Sequence, residues 1–383
     1  MYRSLEEMRR SAGQHLVLDE LRVSSFVNGD PPPGAVDAWA RNAIFNPDPT
    51  LRTQMRQVLR SAAACRGIVS ASLAQRLEAD DGGVLLAVRL GGHCYDLARL
   101  VLRSARDRGV SGLVFEQGWA GQSPWEFSAL LAAAALREGW PNPLYLRCGL
   151  PPLANDLLPG GVDVEAAEDQ LATARSAEFH NVTLRISPAG LTRRRSGADL
   201  RQLAETARQR GMCVGLRVDE PNPGGDSEEV LEALRALARR AAPHLLVLSG
   251  DGLAWPPARA EQWLEAAGAR GLALSGLRPE ELLERTMPAA VLEVRAEFDW
   301  AERIVMHPEF RAERRREVLG WLRRSRQGGL LMTDAALLQR FEYQALGHFE
   351  FELWNLDGMP GFREDFMGML DRLYHRLRLH SQP

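Results

Sequence analysis

Eight short apolar runs punctuate the middle of the chain, and each is followed by a longer stretch with helical spacing. The runs are VLLAVRL (84–90), GLVFEQ (112–117), LYLRC (144–148), NVTLRIS (181–187), CVGLRVD (213–219), HLLVLSG (244–250), GLALSG (271–276) and AVLEVRAEF (290–298). The stretches between them, EFSALLAAAALREG and EEVLEALRALARRA among them, return apolar residues every three or four positions, as one face of a helix does. Strand then helix, eight times over, is the count of a (β/α)8 TIM barrel. A doubly wound open sheet is the competing arrangement; eight regular units favour closure. Before the first run the chain reads as helical, with stretches near 34–45 and 50–64 on either side of Asn46-Pro47-Asp48-Pro49. After the last it turns helical again, through REVLGWLRR and DFMGMLDRLYHRLRL. The expected organisation is a helical extension over 1–82, an α/β barrel over 83–305 and a helical extension over 306–383.

Polar residues interrupt the strands on one phase. In NVTLRIS, alternation sends Val182, Leu184 and Ile186 to one face and Thr183, Arg185 and Ser187 to the other. The same phase collects Arg89, Arg147, Arg217 and Arg295, together with Asp219, Glu293 and Glu297. A barrel interior is ordinarily packed with branched apolar side chains. Charges there need partners, because an unpaired buried charge costs several kcal/mol. Two arrangements meet that need: an internal ion-pair lattice with Glu116, Asp219, Glu293 and Glu297, or an anion site. For the latter, Arg147, Arg185 and Arg217 converge on a phosphate or carboxylate, with Arg193, Arg194 and Arg195 nearby. Arg89 and Arg295 belong to the same set of ligand candidates. The two arrangements are compatible.

Composition narrows the chemistry. All 47 basic side chains are arginine; the 383 residues include no lysine. A guanidinium forms no Schiff base, so lysine-imine aldol chemistry, pyridoxal-phosphate catalysis and a P-loop lysine are excluded. A net charge of −3 gives no general attraction to nucleic acid or to an anionic membrane. Cys65, Cys94, Cys148 and Cys213 lack metal-ligand spacing and suit reduced thiols, which points to the cytoplasm. The opening MYRSLEEMRR has no apolar core of the signal-peptide kind, and no apolar run is long enough to span a bilayer.

Several segments carry a family resemblance in order along the chain. They are ARNAIFNPDP with GIVSASL, VFEQ with SPWEFSALLAAAALREGW, IVMHPEF with VLGWLRR, and FEYQALGHFEFELWNL. In these the chain resembles the class II, metal-dependent ketose-bisphosphate aldolase superfamily, which includes fructose- and tagatose-bisphosphate aldolases. That resemblance implies a barrel, and a divalent metal held by histidines at the ends of three strands, with an aspartate as acid/base. The chain departs from the pattern at each place. Where the family has Asp-His after the third strand, this sequence has Cys148-Gly149-Leu150-Pro151. The sixth-strand histidine falls on Leu253, and the seventh-strand signature reads Ser275-Gly276-Leu277-Arg278. Family acids on the fourth and fifth strands fall on Arg185 and Arg217. Zinc acting as a Lewis acid needs about three strong protein ligands, so no zinc site and no cofactor is expected.

What chemistry remains is sparse. His93 lies just after the first strand, at the end of the barrel where catalysis occurs, and Glu220 follows the fifth; these are the catalytic candidates. His180 and His244 sit at strand beginnings, on the opposite end. The stretch 311–327, RAERRREVLGWLRRSRQ, reads as a solvated or subunit-facing helix, since no nucleic-acid recognition motif accompanies it. Phe341, Tyr343, Phe349, Phe351 and Trp354 are expected to pack the tail onto the barrel or a partner subunit. The expectation is a non-catalytic, aldolase-like protein: a partner subunit, scaffold or sensor of a phosphorylated or carboxylated small molecule, with a protein partner or a homo-oligomeric state. A metal-independent carbohydrate-phosphate lyase or isomerase, and a structural component of a larger assembly, are the alternatives.

Overall fold

The eight apolar runs form eight strands in the computed structural model. They are β1 (Leu85–Leu90), β2 (Leu113–Gln117), β3 (Leu144–Gly149), β4 (Asn181–Ile186), β5 (Cys213–Val218), β6 (Leu245–Ser249), β7 (Gly271–Leu277) and β8 (Val291–Ala296). Neighbouring strands run parallel in chain order, and β8 pairs back onto β1. The fold is a closed (β/α)8 barrel, as the eightfold alternation predicts. The structure describes residues 33–46, 48–79, 84–90, 95–117, 123–153, 162–192, 194–218, 228–249, 257–284, 291–296, 307–309 and 360–380. The arginine-rich stretch 311–327, the tail aromatics Phe341 to Trp354, and Cys94 lie outside them. No helix among the described residues is long and apolar enough to cross a membrane.

Among the described residues three helices precede β1: α1 (Pro33–Phe45), α2 (Pro49–Cys65) and α3 (Leu73–Ala79). The strands are then followed by α4 (Tyr95–Asp107), α5 (Pro124–Glu138), α6 (Val164–Ser176), α7 (Pro188–Leu191) with α8 (Arg194–Gln209), α9 (Glu228–Ala241), α10 (Pro257–Ala267) and α11 (Pro279–Glu284). A last helix is α12 (Pro360–His380). Local sequence fixes where they start. Asp48, Ser123 and Asp163 accept backbone N–H groups at the openings of α2, α5 and α6, and a proline begins both α2 and α5. These side chains satisfy donors that an opening helix turn leaves unpaired.

The N-terminal helices cover the barrel's flank. Trp39, Ile44, Met55 and Leu59 are buried, and α5 is buried along most of its length. Ion pairs tie the layers together: Arg56 to Glu126, Arg137 to Asp37, and Arg99 with Arg103 to Glu138. Burial pushes the Glu138 carboxyl up, but Arg103 and Arg99 outweigh it and hold it below the usual carboxylate range. On the neighbouring flank α12 buries Leu370 and Leu373, and its Tyr374 hydroxyl donates to Val101 O of α4 at 3.3 Å.

The N-terminal mouth of the barrel is plugged. Leu73 packs inside with Leu85, Ala87, Val114, Tyr145 and Cys213. Asn181 secures the plug from the start of β4. Its Oδ1 accepts from the Leu73 N–H at 2.7 Å, and its Nδ2 donates to Ala71 O and Leu146 O at 3.1 and 3.0 Å. With this end closed, open space for a ligand belongs at the C-terminal mouth, where barrel active sites lie. Asn181→Leu strands three buried backbone groups and is expected to lower the unfolding free energy by about 3 kcal/mol. Denaturant titration checks this; a loss below about 1 kcal/mol means that the amide does not hold the plug.

Candidate functional site

The side chains gathered around Leu73 show which face of each strand points inward. Alternation from Leu85 and Ala87 brings Arg89 inside, from Val114 Glu116, from Tyr145 Arg147, and from Cys213 Arg217. Arg185 stands beside Arg217 in register and shares its phase. Arg295 lies beside Ala87 and Ser275 in register, but its side chain is outside the described set. So are His93, Asp219, Glu220, Leu253, Glu297, Arg193 and the side chains of Arg194 and Arg195.

Inside the barrel, charge is arranged in two levels. At the deeper level Arg147 faces Glu293 fork to fork. Its Nη1 donates to Oε1 at 2.5 Å and its Nη2 donates to Oε2. Arg147 is 1% exposed and Glu293 2%. The pair reaches from β3 to β8, two strands that are not neighbours, and Glu116 of β2 lies 3.9 Å from Arg147 Nη1. Burial works against the charge on Arg147, yet the Glu293 carboxylate outweighs it and raises its pKa above the ordinary value. Arg147 and Glu293 thus form the internal ion-pair arrangement. Arg147 does not converge with Arg185 on one ligand: its register partner is Asn181, four positions before Arg185, or about 13 Å of strand.

The upper level is the C-terminal mouth. Arg185 of β4 and Arg217 of β5 are register partners, on strands about 5 Å apart. Both are partly exposed. Arg217 Nη2 donates to Ser249 Oγ of β6 at 2.8 Å, which orients its guanidinium. Small residues share the same inward phase: Gly149, Thr183, Gly215, Ser249 and Ser275. Thr183 Oγ1 and Ser275 Oγ are buried and have no hydrogen-bond partner among the described residues. Buried hydroxyls are nearly always satisfied, by protein or by ordered water. These hydroxyls, and Ser249, escaped the sequence reading as site residues; their shared phase with the arginines was the available signal.

The donor set does not fit a histidine-held metal. The described end of β3 carries Gly149 and Leu150, and that of β7 carries Ser275 and Gly276. Among the described residues no three His, Cys, Asp or Glu side chains gather as metal ligands. The cysteines nearby are also quiet. Burial pushes the thiols of Cys148 and Cys213 up to about 12, leaving neither a nucleophile at neutral pH.

No protein-family model matches the chain, and no curated protein is detectably similar to it. Solved structures with barrel likeness include a candidate fructose-1,6-bisphosphate aldolase from Coccidioides immitis, at 15% identity and TM-score 0.41, covering 79% of this chain and 96% of that one. A candidate lyase/mutase from Burkholderia cenocepacia gives 14% identity, TM-score 0.40, and 70% and 96% coverage. Triosephosphate isomerase from Bartonella henselae gives 15%, 0.37, and 56% and 92%. At these levels the likenesses say nothing of chemistry, and the barrel rests on its own strand pairings.

Breaking one side of the buried pair leaves the other charge stranded. Arg147→Met and Glu293→Leu are each expected to destabilise by about 3–5 kcal/mol, while the double variant recovers most of that loss. A double-mutant cycle by chemical unfolding measures the coupling; additive losses mean that the two charges do not depend on each other.

Proposed function

We propose that this barrel is a non-catalytic, aldolase-like protein, a partner subunit, scaffold or sensor, that holds a small phosphorylated or carboxylated molecule at its C-terminal mouth. The observation that carries this reading is the side-by-side placement of Arg185 and Arg217 in register, on an inward phase that also holds Thr183 and Ser275, whose buried hydroxyls have no partner among the described residues. The planar forks of two neighbouring guanidinium groups suit a dianion, which can form charge-assisted hydrogen bonds to each. Arg89 shares the interior phase of the same barrel end, and Arg295 remains a further candidate by sequence. In this reading no metal and no organic cofactor takes part. The segments shared with class II aldolases, without their histidines at the described strand ends, support descent from that chemistry and its loss. The surroundings proposed for the protein are cytoplasmic.

One observation favours a second reading, a metal-independent carbohydrate-phosphate lyase or isomerase. Glu116 lies within the barrel beside Arg89 in register, and a carboxylate there is placed to move a proton for a bound substrate. Glu220 and His93, which follow β5 and β1 in sequence, are the further catalytic candidates of this reading.

Calorimetric titration with inorganic phosphate and with malonate tests the anion site. Saturable binding is expected, and Arg185→Gln or Arg217→Gln weakens it about tenfold or more, since each removes a charge-assisted contact of at least about 1.4 kcal/mol. Unchanged affinity in both variants removes the site. Incubation with fructose or tagatose bisphosphate separates the readings: no cleavage or isomerisation is expected, and turnover lost in Glu116→Gln establishes the second.

A further inference from the structure

A separate cavity of about 230 Å³ lies on the outer flank of the barrel, near the N-terminal ends of β3 and β4. It is bounded by α2, by the segment leading to α3, by α5, and by β3. Its walls are apolar, with Ala132 of α5 facing Leu144 and Leu146 of β3 across the lining. Polar groups interrupt that surface: Ser128 of α5 and Arg60 of α2 join Ser70 and His180 in the lining. Ser70 Oγ is buried and has no hydrogen-bond partner among the described residues. His180 contributes its imidazole, and burial, then Arg175, lower its pKa from the ordinary value, so the ring is neutral at pH 7.

The rim is built at a conformational cost. Glu178 follows α6 with φ of 69°, in the left-handed region where five other turns of this protein use Gly67, Gly109, Gly139, Gly211 and Gly268. Its N–H and that of Phe179 close the helix onto Arg175 O and Ala174 O, a pattern that favours glycine. A side chain is strained in that region. The Glu178 carboxylate pairs with Arg60, whose guanidinium also lies 4.7 Å over the Trp125 ring. The charges at the rim therefore neutralise each other. The interior offers an ionic ligand no unpaired counter-charge; it offers apolar wall, a hydroxyl and a neutral imidazole.

We propose that this cavity is a second ligand site, distinct from the arginine mouth, for a small uncharged aromatic molecule carrying one hydroxyl or ring N–H. Size supports this class: a cavity of ~150 Å³ lined by aliphatic and aromatic side chains accommodates benzene, so this one has room for a substituted or fused ring. The orphaned Ser70 hydroxyl and the His180 ring supply the single polar contact such a ligand needs, and the alanine-rich wall supplies a flat face. Most of the affinity comes from apolar burial, and the hydrogen bond selects among rings.

Calorimetry on the full-length chain with 4-methylphenol and with indole tests the site, with Ser70→Ala, Ala132→Phe and Arg217→Gln as variants. Saturable binding of at least one probe is expected. Ser70→Ala weakens it about fivefold, in line with one lost neutral hydrogen bond; Ala132→Phe fills the space and abolishes it, and Arg217→Gln leaves it unchanged. Absence of saturation up to the solubility of both probes overturns the proposal, as does wild-type affinity in Ser70→Ala. If Ala132→Phe does not fold, Ser70→Ala decides alone. Loss of binding in Arg217→Gln but not in Ser70→Ala places the probe in the mouth and also overturns it.

Discussion

Two strands that do not touch, β3 and β8, are joined through the middle of the barrel by the Arg147–Glu293 pair. A barrel of this size ordinarily fills its interior with branched apolar layers. Here the bottom is filled that way, by Leu73, Leu85, Ala87, Val114, Tyr145 and Cys213, and Leu245, Val247 and Ala273 form a second apolar cluster on β6 and β7. The ion pair replaces the next layer, and neither partner tolerates the loss of the other, because a lone charge at this depth is costly. Everything above depends on that arrangement. The pair keeps Arg147 and Glu293 neutral in sum, with the buried Glu116 of β2 close by.

The two ends of the barrel then take different roles. At the N-terminal end, Asn181 ties the Ala71–Leu73 backbone to the strands, and the bridge between Ser70 and Leu144 adds a further contact. At the C-terminal end Arg185 and Arg217 stand side by side, with Val247 of β6 beside Arg217 in register and Ser249 accepting from its guanidinium. The flank cavity is separate: α2 and α5 bridge over β3 without filling the gap, and the Arg60–Glu178 pair closes its rim.

The absence of lysine removes one route to aldol chemistry, and the described strand ends do not offer the ligands of the other. Arginine takes over the polar interior. Its planar fork makes two-point contacts with a carboxylate, as Arg147 does with Glu293, and the same geometry suits a ligand anion at the mouth. One residue type thus serves as a structural crossbar at one depth and, in the proposed reading, as a recognition group at another.

The sequence by itself determined the barrel. Eight apolar runs at regular spacing, each followed by a helical period, leave few ways to bury every run, and the strand bounds lie within two residues of those runs. The caps at Asp48, Ser123 and Asp163 were equally local. The inward phase of Arg147, Arg185 and Arg217 was legible too, because alternation along a strand is a property of the strand alone. Which arginine meets a carboxylate and which meets a neighbouring arginine was decided only in three dimensions. That outcome depends on register between strands far apart in sequence, which put Glu293 opposite Arg147 and Arg217 beside Arg185. The orphaned hydroxyls of Thr183 and Ser275, the Asn181 clasp and the cavity beneath α2 likewise arise from contacts across the closed sheet. No local pattern encodes them, since each requires segments separated by tens of residues to pack at one depth.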